Sequence, residues 1–514
     1  MIKDTDDFLF LIDELKKDEI ICKGLKGIEK ESLRITNENQ LSLRPHPGSL
    51  GSPLHNRYIT TDFSESQLEL VTPEFQDISC LDEFLDELHH FVFKNIDDEI
   101  IWPLSMPPMI DNHDEIPIAQ YGVSDEAFFK SLYRKGLSHR YGRLMQTISG
   151  IHFNYSLPDS FWEIILEDKL QGQNFNKIKS KFYMRGIRNI HRMNWIILYF
   201  FGCSPIVSRQ FVTDKYDFKN LEGSYFYLPN ATSLRMSDIG YQNSKQKDLY
   251  IPLNSIEEYS TALKRATSTI SEVFATIGND YPEENVQLNS SILQIEDEYY
   301  SVSRPKSNHE SNDRLISKLK REGIDYIELR SVDLNPFIRT GITRNALKFL
   351  EAFCIYCLLK PSPSVSKNDL DEFRENDSRV ALSGRDKNLL LQKDCKPISI
   401  YEWGIEILTD MNPIFEALNF NSATNIYMKM LENPVHCISS EFLEYFYSEE
   451  MLFHDEAIKI GEMHKLSSNK ISNRQTKISD KLYSEAEKSH ELEKISKHST
   501  EQSFEDYVQK FYES

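Results

Sequence analysis

Acidic residues interrupt the segments of this chain that otherwise read most clearly as β-strands. The stretch "ITTDFSESQLELVTP" (residues 59–73) is largely β-branched, aromatic or aliphatic, yet it holds Asp62, Glu65 and Glu69. Such a composition favours a strand. Read as one strand, it puts Phe63, Glu65, Gln67, Glu69 and Val71 on one face, with Ser64, Ser66, Leu68 and Leu70 on the other. "KGLKGIEKESLRI" repeats the pattern, its Ile28 and Leu33 bracketing the alternating Glu29 and Glu31. Unpaired buried charge is costly, so these faces need something cationic against them.

Three more segments alternate polar and apolar residues in the manner of an antiparallel sheet with one solvated face. They are "SGIHFNYSL" (149–157), "NVQLNSSILQIE" (285–296) and "GIDYIELRSVDL" (323–334). Apolar spacing predicts helices over 5–19, 81–97, 124–136, 175–202 and 339–361. Pro, Gly and Ser mark loops at 43–57 and 360–372. Beyond about residue 465 the chain is polar, repetitive in Ser and Lys, and poor in core residues. That segment reads as a solvated helix or a loose tail with no catalytic role. Strands in the first two thirds combined with long helices give an α+β fold class.

Length alone, 514 residues, suggests about three units, although one extended core is compatible with it. Acids outnumber bases by 80 to 59, a net charge of −21. Such a surface repels nucleic acid and anionic membrane, so a polyanionic substrate would need local cations or metal ions. Cys354 and Cys357 form a CxxC within the apolar run "LKFLEAFCIYCLL". With no second pair at a suitable spacing, they read as buried helical thiols rather than zinc ligands. The N-terminus "MIKDTDDFLFLIDELKK" is acidic, unlike a signal peptide. The most apolar stretch, "WIILYFFGCSPIV" (195–207), is too short to cross a bilayer and is broken by Pro205. A cytoplasmic protein that binds neither nucleic acid nor membrane is expected.

There is no GxxxxGK[ST] loop, no GxGxxG after a strand and no HExxH. The chain instead sets an acid or an imidazole into each strand: Glu29 and Glu31; Asp62, Glu65 and Glu69; His152; Glu296; Glu328. Many carboxylates and one imidazole on a sheet face suit a hard cation, Mg²⁺ or Mn²⁺ more than Zn²⁺. The bland alternative puts each acid on the wet face of its own strand. Arg330, two residues from Glu328, shares its strand face. "NATSLRMSDIGY" brings Arg235 and Tyr241, and "FKSLYRKGL" brings Tyr133 and Arg134. Arginine forks suit carboxylate and phosphate, so acids beside arginines suggest metal ions with an anionic substrate. A metal-dependent hydrolase and an acidic cation-binding scaffold satisfy the same pattern.

The order of "GIEKESLRI", "ITTDFSESQLELVTP", "IWPLSMPP", "YGRLMQTISGIHFNYSLP", "ATSLRMSDIGY", "LQIEDEYY" and "GIDYIELRSVDLNPF" resembles the glutamate–cysteine ligase family in its stand-alone bacterial form. The resemblance is close over about 20–390 and fades toward the C-terminus. It implies a glutamine-synthetase-like curved antiparallel sheet forming a funnel, with helices packed outside. It also implies a catalytic domain over 1–464 followed by a polar tail over 465–514. The implied reaction joins the γ-carboxylate of L-glutamate to the amino group of L-cysteine with ATP, through γ-glutamyl phosphate. A related ligase using another amine is the nearest alternative.

Carried over residue by residue, the resemblance implies Glu29, Glu31, Asp62, Glu69, His152 and Glu328 as ligands for two or three Mg²⁺ or Mn²⁺ ions. Arg235 would grip substrate glutamate, with Gln146 beside it. Phe63, Tyr133, Tyr241 and Tyr300 would line the cysteine pocket, and Arg330 and Arg134 would stand near the transferred phosphate. Feedback by glutathione and a monomeric state are the further expectations.

Overall fold

The computed structural model describes residues 7–166, 173–240, 246, 248–278, 286–308, 313–448, 452–471, 476–496 and 503–513. Among these residues the central element is an antiparallel sheet of seven strands. Their order across the sheet is Ile59–Thr61, Gln67–Val71, Leu25–Ile35, Ile151–Ser156, Tyr326–Val332 and Ser303–Lys306. The short strand Ile100–Ile101 pairs with the far end of Leu25–Ile35. Pro305 lies in the outermost strand, where a missing N–H is tolerated.

Strand alternation divides the sheet into two unlike faces. Ile28, Phe153, Ile327 and Leu329 point backward and are wholly buried. The long helices Gln173–Phe201 and Arg344–Leu359 cover that side and share one core cluster with those side chains. Removing each such side chain from water contributes about 1.5–3 kcal/mol. Cys354 and Cys357 belong to this core as free thiols, and burial pushes both thiols up. Helix Ile78–Asn95 packs behind Leu68 and Leu70 through Phe84 and Leu88. An α+β fold with an antiparallel sheet is what the alternation and helical spacing predicted, and the helices packed outside it are what the family resemblance implied.

Four local expectations are corrected. Residues 59–73 form two strands rather than one, with a turn at 62–66 closing a hairpin in which Thr60 faces Glu69. Four Ser and acidic residues in that turn outweigh its β-branched neighbours, because Ser and Asp bond locally to backbone: Ser64 accepts from the Ser66 N–H at 3.2 Å. The described part of 285–296 is not a strand and touches its surroundings through an isolated Ile270–Ser291 bridge. Glu296 therefore leaves the sheet face and pairs with Arg314 at 2.8 Å. Residues 360–372 are only half a loop, since Lys367–Ser383 is helical behind a Ser366–Asp369 capping box.

The described residues of the polar C-terminal segment form three helices. Helix Phe453–Ile471 runs across position 464 without a break. Helix Lys477–Ser496 buries Leu482, Ala486 and Ser489 against the Ile78–Asn95 side of the molecule. Helix Phe504–Glu513 lies against helix Asp125–Tyr141. Among the described residues, no helix is long and apolar enough to cross a membrane.

Candidate active site

The forward face of the sheet opens into a cavity of about 1040 Å³. Register places its acids. Glu29 stands opposite His152, and Glu31 stands directly opposite Glu69. In the next pair Glu328 stands opposite Asn154, and on its other side it faces Arg304. Like charges directly across an antiparallel pair are destabilising, so the Glu31–Glu69 pairing is a cost that a bound cation, or a proton kept on one of the two carboxyls, would offset.

Neighbouring groups hold each acid in place. The Asn154 amide donates to Glu29 at 2.8 Å, and His152 Nδ1 lies 3.1 Å from the other Glu29 oxygen. The Gly150 N–H donates to Glu31 at 2.9 Å, and His152 Nε2 is 3.4 Å from Glu31 Oε1. Arg330 donates to Glu328 Oε2 at 2.8 Å, while Lys306 Nζ lies 3.3 Å from Oε1.

Electrostatics splits these carboxyls into two groups. Burial pushes Glu328 up, but Lys306, then Arg330 and His152, outweigh it and hold the carboxyl well below the ordinary range. Glu29 is also held down, burial and Glu328 being overcome by the His152 contact and Lys306. Burial pushes Glu31 up. Burial, followed by repulsion from Glu29, Asp62 and Glu31, pushes Glu69 well above the usual carboxylate range. The Glu69 side of the cluster is thus short of positive charge.

Helix Asp125–Tyr141 crosses in front of the sheet and supplies Tyr133 and Arg134. The Ser124 side chain caps its start by accepting from the Ala127 N–H, and it ends at Gly142, whose φ of 84° suits glycine. Arg134 donates to the Asp62 carbonyl and lies over the Tyr121 ring, 4.7 Å from its centroid. The Tyr121 hydroxyl in turn donates to the Thr61 carbonyl at 2.9 Å. This set ties the cation to the hairpin that carries the acids.

Of the residues expected at a site, Glu29, Glu31, Asp62, Phe63, Glu69, Tyr133, Arg134, Gln146, His152, Tyr300, Glu328 and Arg330 all line the cavity. Tyr241 lies outside the described residues. Arg235 stands behind the wall, 1% exposed. It donates to the carbonyls of Arg330 at 3.0 Å and Val332 at 3.4 Å, and it pairs with Asp333 at 3.4 Å. Asp333 is fixed by the Cys203 N–H at 2.8 Å and the Ser204 hydroxyl at 2.6 Å. A Cβ at position 150 would overlap the Arg235 guanidinium, so Gly150 is what allows this approach. Glu65 faces away from the cavity and accepts the His46 and Gln120 N–H groups at 2.5 and 2.6 Å.

The sequence reading missed Asn154, Lys306, Arg304, Lys130, Tyr507 and Phe511. Asn154 was accessible by strand spacing, two residues after His152. Lys306 and Arg304 lie on a strand too short to announce itself. Tyr507 and Phe511 carry a four-residue helical spacing, but nothing local ties that helix to a distant cavity.

Among the described residues, Glu29, His152 and Glu328 offer ligand atoms within 4.8 Å of one another. Glu328 Oε1 is buried with no hydrogen bond from the described residues, Lys306 Nζ lying 3.3 Å away as an ion-pair partner. Hard oxygen donors and one imidazole within reach of one another fit a divalent cation.

Residues 9–380 match the family described as glutamate–cysteine ligase. The glutamate–cysteine ligase of Alcanivorax borkumensis is 41% identical over 455 residues, 86% of each chain. That of Vibrio parahaemolyticus is 40% identical over 438 residues, 83% of this chain and 84% of the relative. A solved glutamate–cysteine ligase of Francisella tularensis in complex with AMP superposes with a TM-score of 0.90 at 31% identity. The match covers 96% of this chain and 98% of that one. With its acids, arginines and imidazole gathered in one cavity, the chain belongs to the glutamate–cysteine ligase family, enzymes of the ATP-dependent first step of glutathione synthesis.

Proposed function

We propose that this cavity joins L-glutamate to L-cysteine in two steps through γ-glutamyl phosphate. The observation that carries the reading is the meeting of Glu29, Glu31, Asp62, Glu69, Glu328 and His152 with Arg134 and Arg330 in one cavity. A carboxylate does not react with an amine at neutral pH, because the leaving group would be oxide. In the first step a glutamate γ-oxygen attacks the ATP γ-phosphorus, the bond to the bridging oxygen breaks, and ADP leaves. In the second step the cysteine amine attacks the acyl carbon. The carbon–oxygen bond breaks, phosphate departs with that oxygen, and the ammonium proton is lost.

Glu29, His152 and Glu328 would hold one divalent ion, with Glu31, Asp62 and Glu69 as ligands for one or two more, Mg²⁺ or Mn²⁺. Bound there, such ions would neutralise phosphate charge as Lewis acids. Arg330 reaches the cavity beside Glu328 and would support the moving phosphoryl group and the oxyanion of the second step. Arg134, held by the hairpin, would serve the phosphates from the opposite side. Arg235 would act on glutamate by fixing the 330–333 wall and adding positive charge behind it, with Gln146 in front. Phe63, Tyr133 and Tyr300 would receive the cysteine side chain, whose thiol is less hydrated than a hydroxyl and suits an aromatic pocket.

Glutathione, which contains both amino acids, would compete for the same cavity. The enzyme would act as a monomer in the cytoplasm, where ATP and reduced thiol are supplied.

Phosphate release from ATP and Mg²⁺, measured with and without the two amino acids, tests this reading. Release that requires glutamate and is completed by cysteine supports it. Release of equal rate without either amino acid would instead make the protein a hydrolase.

A further inference from the structure

Glu298 also lines the cavity, yet its carboxylate is turned into the protein, with 1% of the side chain exposed. Oε1 accepts from Arg140 Nη1 at 3.0 Å and from the Tyr141 hydroxyl at 2.6 Å, and Oε2 accepts from the Gln294 N–H at 2.6 Å. Donors on both oxygens commit this carboxylate to protein groups. Arg140 is wholly buried as well, so neither charge of the pair can turn to water for a substitute partner.

The bonds made at this joint reach two tyrosines of the cysteine pocket from opposite sides. Arg140 and Tyr141 end the helix Asp125–Tyr141, which carries Tyr133. The Gln294 side chain donates to the Tyr133 carbonyl at 3.2 Å and accepts from the Leu288 N–H at 3.0 Å. Gly136 lets the helix come this close, since a Cβ there would lie 2.1 Å from Gln294 Oε1. On the other side, the Glu298 carbonyl accepts from the Gln246 amide at 2.9 Å. That amide also donates to the Tyr141 hydroxyl at 3.1 Å, and its oxygen accepts from the Tyr300 N–H at 2.9 Å. Burial, then the charge of Glu298, pushes the Tyr133 hydroxyl well above the usual range, which keeps it protonated beside the site.

We propose that Glu298 is a positioning residue for the amine substrate: by tying helix Asp125–Tyr141 to the 294–300 segment it sets how Tyr133 and Tyr300 stand to one another, and with that the choice of amino acid. The inference rests on the ligase reading above. Two rings carried on separate elements make a pocket of fixed shape only if those elements are locked together, and a buried network of charge-assisted bonds is a stiff lock. Glu298 touches no substrate in this account; it acts through Arg140, Tyr141, Gln294 and Gln246.

The test is the steady-state kinetics of two variants with cysteine and with 2-aminobutyrate as the amine. Glu298→Gln keeps the shape but sets a donor against a donor whichever way the amide turns, because its NH2 meets either Arg140 or the Gln294 N–H. Its KM for cysteine should rise about ten-fold or more, while the KM values for glutamate and ATP stay within about two-fold of wild type. The preference for cysteine over 2-aminobutyrate, as a ratio of kcat/KM, should fall by at least about five-fold. Tyr141→Phe removes one hydroxyl and keeps the Arg140 pair, so it folds even where the first variant does not. It should move the same two quantities in the same direction by about three-fold. Equal rises in all three KM values, or a fall in kcat with selectivity unchanged, would make Glu298 a structural acid and overturn the proposal. Wild-type ligation of both amines with selectivity retained in the variants overturns the proposal alone, whereas a wild type that ligates neither amine sinks the ligase reading and the proposal with it.

Discussion

Arg330→Lys separates transition-state support from substrate binding. The charge is kept, but the planar fork is lost. In the structure Arg330 Nη1 donates to Glu328 Oε2 at 2.8 Å while the side chain, 18% exposed, faces the cavity. Glu328 keeps Lys306 at 3.3 Å after the substitution, so the fold loses little. A charge-assisted hydrogen bond is worth about 1.5–3 kcal/mol. If that bond forms chiefly to the phosphoryl group in flight, kcat falls roughly 10- to 150-fold, at about 1.4 kcal/mol per decade. The KM for glutamate should change less than about three-fold. Arg235→Lys should do the reverse, because its guanidinium bonds three partners at the 330–333 wall that one ammonium cannot span. Its glutamate KM should rise first. The assay is initial-rate kinetics with glutamate varied at saturating ATP and cysteine. Identical patterns in the two variants, or exchanged ones, would refute the assignment of these arginines.

Glu69→Gln should lower turnover at ordinary Mg²⁺ by at least about ten-fold, as loss of a ligand charge does. The same change should raise the thermal midpoint in EDTA, since burial and repulsion from Glu29, Asp62 and Glu31 already disfavour the charged form; normal turnover would remove Glu69 from the metal site. 2-Aminobutyrate, with a methyl in place of the thiol, should be ligated, because sulfur takes no part in either bond change; complete rejection would contradict this. His46 gives a pH signature: its ring nitrogens are sealed from solvent, and burial, then Arg34, hold it down to about 3. The unfolded chain binds that proton below about pH 6.5 and the folded chain does not, so stability falls between about 6.5 and 3, roughly 1.4 kcal/mol per pH unit. Denaturant titration should show the gap between wild type and His46→Gln narrowing by about 2 kcal/mol from pH 7.5 to pH 5; a gap that stays constant would mean His46 is charged in the folded state.

Residues that share a strand face were readable because side-chain direction alternates with a period of two. Glu29 with Glu31, and Glu328 with Arg330, stand together as that period requires. Which strand lies beside which is set by long-range pairing, so the opposition of Glu31 and Glu69 appears only in the fold. The hairpin at 62–66 was obscured by β-branched residues flanking a turn whose hydroxyls bond locally. The terminal helix was illegible for a different reason. Its polar residues face solvent, and the few aromatic ones that reach the cavity do so across nearly the full length of the chain.

The acyl phosphate is the centre of this account, and oxygen transfer reads it directly. L-Glutamate labelled with ¹⁸O in both γ-carboxylate oxygens is incubated with the enzyme, ATP, Mg²⁺ and cysteine, and the released phosphate is analysed by mass spectrometry. The mechanism predicts one ¹⁸O in each phosphate and one in each γ-glutamylcysteine. Phosphate without the label, its new oxygen drawn from water, would contradict it.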